Sequence, residues 1–248
     1  LEITNQYGIH EKHPMRIYLQ SAHAKAIEGG LTEAATCNDC HGAEGNSHKI
    51  FSISNPDSSI YHFNIPETCG QCHETETKEY REGIHGILAS RGDAESPVCT
   101  HCHGEHGILS TNNPLSPVSR ARLAESTCTP CHQSIILTEK YELEKTPKMS
   151  FIDSYHGLKT KAGDKTVANC ASCHGVHKIL PSSDPESSVN PDNLTKTCGA
   201  CHPDISPEMA SVPIHGFIQE ANQSRAARTI KDIYILAIVV IIGMMFLH

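Results

Sequence analysis

Every cysteine in this 248-residue chain sits in a Cys-x-x-Cys pair, and a histidine follows every pair. The twelve cysteines make six such motifs, at 37–41, 69–73, 99–103, 128–132, 170–174 and 198–202, with none left over. Six disulfides would account for the even number, and Cys-x-x-Cys pairs also serve as redox dithiols or zinc knuckles. None of those chemistries requires a histidine after each second cysteine. One such pentapeptide could arise by chance; six of six could not.

The pattern is that of covalent c-type haem attachment, in which two thioether bonds fix the macrocycle and the adjacent histidine approaches the iron as proximal ligand. The expected thioether residues are Cys37, Cys40, Cys69, Cys72, Cys99, Cys102, Cys128, Cys131, Cys170, Cys173, Cys198 and Cys201. The expected proximal ligands are His41, His73, His103, His132, His174 and His202. Composition agrees with a core built from something besides side chains. Hydrophobic residues are 38 %, there is no Trp, and part of the apolar content is one C-terminal run. The expected complement is six covalently bound haem c.

The motifs recur in pairs. CASCHGVHKILPSSDP at 170–185 returns as CTHCHGEHGILSTNNP at 99–114 and, with four residues inserted, as CNDCHGAEGNSHKIFSISNP at 37–56. His23, His85 and His156 each lie 14 residues before the first Cys of a pair, and Gly30, Gly92 and Gly163 each follow seven residues later. This predicts short helices within 16–30, 80–93 and 151–164, each ending at a glycine C-cap. His48, His106 and His177 follow the first motif of each pair, and Pro56, Pro114 and Pro185 each stand eight residues beyond. The second motif begins 13, 14 and 13 residues after those prolines, so a two-haem unit is repeated three times.

The predicted organisation is an N-terminal arm at 1–15, two-haem modules at 16–79 and 80–133, and a helical spacer at 134–149. A third module follows at 150–215, then a juxtamembrane linker at 216–232 and a transmembrane helix at 233–248. Fold class is mostly irregular and α, packed around haem. The spacer, SIILTEKYELEK at 134–145, reads as a solvated amphipathic helix. The run at 233–247 is apolar throughout, but 15 helical residues reach only about 22 Å against a hydrocarbon core of about 30 Å. The natural chain is therefore expected to continue beyond His248. Leu1 is not an initiator Met, which suggests a mature form whose export signal has been removed, or a fragment.

Six irons with closed coordination need six distal ligands, and the repeat offers His23, His48, His85, His106, His156 and His177. Met15, Met149 and Met209 hold no repeated position, so bis-histidine ligation is the economical reading. One alternative stays open. His215 shares the His-Gly context of His85 and His156, whereas His23 precedes Ala, so a shifted register would use His215. His10 and His13 read as surface residues, His62 and His101 as solvated or bonded to a propionate, and His248 as carrying no assigned role. Net charge is −8 and the 20 basic residues form no block, which leaves nucleic-acid binding without support.

CASCHGVH with TCGACH, and CTHCHGEH with TCTPCH, resemble the paired-CxxCH class of multihaem c-type cytochromes over residues 16–215. The resemblance implies an extended wire of closely spaced low-spin haems with little regular secondary structure. It also implies electron transfer in the periplasm or at the cell surface during anaerobic respiration. A membrane helix on such a cytochrome resembles quinol-linked subunits, although the quinol-oxidising tetrahaem family carries its anchor at the N-terminus. The expected function is a membrane-anchored hexahaem carrier, not an enzyme. It would relay electrons between an integral, quinol-linked membrane partner and other c-type cytochromes or exported acceptors. Its haem domain would sit on the periplasmic or extracellular side of the cytoplasmic membrane. The alternative is a reductase or oxidase of a small nitrogen or sulfur compound, which would need one open iron position. A third reading, a redox subunit of a larger respiratory complex, overlaps the first.

Overall fold

The computed structural model describes residues 13–42, 48–143, 151–212, 214–215 and 225–247. Among them the chain is short helices joined by turns and irregular segments, with no strand. The expected mostly irregular, helical class is what is found. The N-terminal arm up to residue 12, most of the 216–232 linker and His248 lie outside the described residues.

Each repeat opens on a seven-residue helix that carries a histidine near its start: Ala22–Glu28, Ile84–Ser90 and Tyr155–Lys161. Ser21 and Ser154 cap the first and third, their side-chain oxygens accepting from Ala24 N–H and Gly157 N–H. Gly83 stands in the same place in the second, where a Cβ would collide with the His177 carbonyl of the next repeat. The predicted glycine stops are found at Gly30, Gly92 and Gly163, with φ of +98°, +84° and +88°. Around each, two backbone bonds close a Schellman turn, as in Asp93 N–H to Leu88 C=O and Gly92 N–H to Ala89 C=O.

Between the two motifs of a repeat the chain runs as a strap pinned by side chains. Asn55, Asn113 and Asp184 accept from the N–H two residues on, at 2.9, 2.9 and 2.8 Å, which turns the chain at each proline. Ser58, Ser116 and Ser187 are buried behind the turn and donate to Phe51, Leu109 and Leu180 carbonyls. Thr68, Thr127 and Thr197, each just before a second motif, donate to Ser59, Pro117 and Ser188 carbonyls at 2.7, 2.9 and 2.6 Å. The middle strap is one residue longer, and its extra residue is absorbed as a π-helical turn at Leu123–Cys128. Arg122 Nη1 there donates to Leu115 C=O, where Asn64 and Asn193 bridge two carbonyls in the flanking repeats.

Side chains supply little core. The buried apolar residues described are Ala24, Ala89, Val98 and Ala210, against ten buried polar ones, while Ile50, Ile53, Leu115 and Val176 are each more than 60 % exposed. Small hydrogen-bonded residues therefore hold the turns, and the large apolar ones are not gathered against each other.

The spacer helix is shorter than expected, Ile135–Lys140. Tyr141 leaves it by donating to Asp93 at 2.6 Å, and Lys140 pairs with Asp93 and Glu95, so the spacer is tied to the second repeat. The C-terminal segment is one helix, Arg225–Leu247. Its apolar side chains from Ile233 to Met244 are exposed. Among the described residues no helix is long and apolar enough to cross a membrane, so the expected span at 233–248 is not found among them.

Candidate metal centres

The first motif of each repeat is its own helical turn: Cys37–His41, Cys99–His103 and Cys170–His174. In a helix, positions i, i+3 and i+4 share one face, so both thiols and the imidazole of a motif stand together. The residue between them that precedes the second Cys serves as a cap. Asp39 accepts from Thr36 N–H at 2.6 Å, Ser172 from Asn169 N–H at 3.1 Å, and His101 Nδ1 from Val98 N–H at 3.2 Å. His101, expected to be solvated or near a propionate, thus acts as a backbone cap. Its ring also stands 5.4 Å from His62, whose buried Nε2 has no hydrogen-bond partner.

None of the twelve cysteines is joined to another in a disulfide. Burial first, then neighbouring thiols, pushes Cys40, Cys102 and Cys173 upward. Those neighbours also trace an order in space. Cys40 feels Cys69 and Cys72, Cys102 feels Cys131, and Cys173 feels Cys198 and Cys201, which joins the two motifs of each repeat. Between repeats, the Cys69 thiol adjoins that of Cys99, and the Cys128 thiol that of Cys170. Each motif therefore neighbours the next in sequence order.

Each motif histidine is faced by a second histidine. Ring centres are 5.9 Å apart for His41–His106, 6.0 Å for His174–His215, and 6.2 Å for His73–His23, His103–His177, His132–His85 and His202–His156. A metal–imidazole bond is about 2 Å and a ring nitrogen lies about 1.1 Å from its ring centre, so two imidazoles on opposite sides of one metal stand about 6.3 Å apart. The six separations fit a metal held between two rings. Among the described residues no group of three or more His, Cys, Asp or Glu could hold a metal ion. A two-imidazole site suits a metal whose four other ligands come from a macrocycle. With paired thiols beside each site, the donor set fits covalently attached haem.

Electrostatics agree with neutral imidazoles, the form that binds metal. Burial, then the facing histidine, lowers His23, His41, His103, His156 and His174, and pushes His85 down to about 4; burial alone lowers His132.

The pairing has two rules. The helix-borne His23, His85 and His156 face the second motif of their own repeat. His106 and His177 face the first motif of the preceding repeat, and His215 does the same for the third. Of the expected distal set, His23, His85, His106, His156 and His177 are brought to motifs. His48 is not: it is exposed, and each of the six motif histidines faces a different residue. His215 takes the remaining place. The sequence signal for His215 is a histidine followed by any residue and two apolar ones, as in His48-Lys-Ile-Phe, His106-Gly-Ile-Leu, His177-Lys-Ile-Leu and His215-Gly-Phe-Ile. His85-Gly-Ile-Leu carries it too, which blurs the distinction. Backbone contacts make the interlock: Ala22 N–H donates to Ile108 C=O, and Ile84 N–H to Ile179 C=O, both at 2.7 Å.

The chain matches no family model, no curated protein and no solved structure.

Proposed function

We propose that the chain is a hexahaem c-type cytochrome that carries electrons along six bis-histidine haems arranged in sequence order. The observation that carries this reading is that all six motif histidines face a second histidine at a separation suited to one intervening iron. The thiols of Cys37, Cys40, Cys69, Cys72, Cys99, Cys102, Cys128, Cys131, Cys170, Cys173, Cys198 and Cys201 would hold the macrocycles. The haem iron supplies one-electron redox chemistry, and the protein sets ligand identity, burial and hydrogen bonding around it. Both axial positions being filled keeps substrates off the iron, which favours a carrier over an enzyme.

The adjoining thiols Cys69 and Cys99, and Cys128 and Cys170, would bring haems of successive repeats edge to edge. Electrons then have a route through every centre, with the first and sixth as terminals. The C-terminal helix, apolar and exposed from Ile233 to Met244, would lie in a cytoplasmic membrane beside a quinol-linked partner. The haem repeats would face the periplasm or cell exterior, where other c-type cytochromes or exported acceptors are reached.

The test is the absorption spectrum of purified reduced holoprotein, with and without carbon monoxide, alongside a haem-to-protein ratio. Six haems per chain and no carbon monoxide shift are expected. A stoichiometric shift at one haem would mean an open iron and return the reductase or oxidase reading; fewer than six haems would remove a motif from the set.

A further inference from the structure

The repeats are not electrically alike. In the second, the Glu74–Glu82 helix precedes the histidine-bearing helix, and Glu79 Oε2 stands 3.5 Å from His177 Nδ1. Lys178, the next residue, pairs with Glu82 and Glu186, both at 3.1 Å, and so holds this segment against the same helix. Glu79 lies six residues before His85. The residue six before His23 in the first repeat is Ile17, and its Cγ2 packs beside Gly107, adjacent to the corresponding His106. One register position thus puts a carboxylate against one ring-bearing segment and a methyl group against the other.

We infer that Glu79 is a positioning residue that lowers the reduction potential of the haem between His103 and His177. The inference rests on the bis-histidine reading above. A histidine that gives Nε2 to iron keeps its proton on Nδ1, and a carboxylate standing 3.5 Å from that nitrogen makes the ring a stronger electron donor and helps fix its orientation. A stronger donor favours the oxidised iron. The contact is partly exposed, with side-chain exposure of 28 % for His177 and 50 % for Glu79, so the effect is moderated by solvent without being abolished. The third centre of six therefore sits lower than its ligand set alone dictates.

The experiment is a spectroelectrochemical titration of holoprotein, wild type against Glu79→Gln, with low-temperature EPR of the oxidised form. One centre of six is expected to move upward, its reduced-to-oxidised ratio at fixed potential rising two- to tenfold. A tenfold change corresponds to 59 mV for one electron. The low-spin EPR signal of that centre shifts with it. Glu82→Gln, which removes an ion pair with Lys178 without touching the ring, is expected to leave all six potentials in place and controls for mere loosening. Six bis-histidine signals with no potential change in Glu79→Gln, or the same change in Glu82→Gln, overturns the inference alone. A wild type lacking bis-histidine signals overturns the ligation reading together with it.

Discussion

Replacing His106 with alanine should open an iron in a repeat to which His106 does not belong. Its ring centre is 5.9 Å from that of His41, a residue of the first repeat, whereas the motif histidine of its own repeat, His103, faces His177 at 6.2 Å. Each substitution removes one of two axial donors from one pair, so one haem in six becomes five-coordinate. The expected readout is one carbon monoxide bound per chain, a sixth of the haem responding in the reduced difference spectrum. His215→Ala should give the same stoichiometry through His174, at 6.0 Å, and His48→Ala should give none. Location is settled by a cycle: in a Cys37→Ala/Cys40→Ala background, which lacks the first haem, His106→Ala should add no open iron. If it still opens one, or if His48→Ala alone does, the cross-repeat pairing is refuted.

Gly92→Ala places a Cβ at φ +84°, a left-handed conformation costing about 1–2 kcal/mol for a residue with a side chain, so a thermal melt should shift downward by a few degrees. Nothing lies within 4 Å of that Cβ, which makes the backbone the sole cause. The Tyr141 hydroxyl, ahead of Lys140, holds the Asp93 carboxyl below its usual range. This tie contributes stability above about pH 4 and is lost as pH falls through the lowered value. Hydrogen exchange of residues 135–141, corrected for intrinsic rate, should rise over that window, and Asp93→Asn should raise it already at pH 7. Removing residues 225–248 should move the haem-bearing protein from the membrane fraction to the soluble fraction without changing its visible spectrum; retention in the membrane would refute the anchor.

What was readable in advance was whatever is local in sequence. The glycine stops at 30, 92 and 163 follow from spacing alone, because a helix end is decided within a few residues. The five repeated histidines that face a motif histidine, His23, His85, His106, His156 and His177, were readable from repetition. The place of His215 instead of His48 was not, because the open alternative set His215 against His23, and a facing ring is a tertiary contact between segments 41 residues apart in one case and 65 in another. Sequence periodicity counts the histidines of a repeat but not which neighbour receives them. The extra residue before Cys128 was visible as a spacing of 14 instead of 13, yet only backbone geometry shows it stored as a π turn. The cap role of His101 was hidden for a different reason: histidine is not among the residues expected to cap a helix.

The borrowed histidine has a consequence for how such a chain can be assembled. On the proposed reading, a chain exported from its N-terminus would present His41 and its thiols well before His106 had emerged. The first centre can be loaded early yet stays half-closed until the following repeat arrives, whereas the second, served by His23, can be finished at once. Maturation would then run as a ratchet, each newly folded repeat sealing the one behind it. His215 would seal the third repeat, as an end-cap does for a stacked array. Lengthening the wire by a repeat would mean inserting it ahead of that cap, never after it.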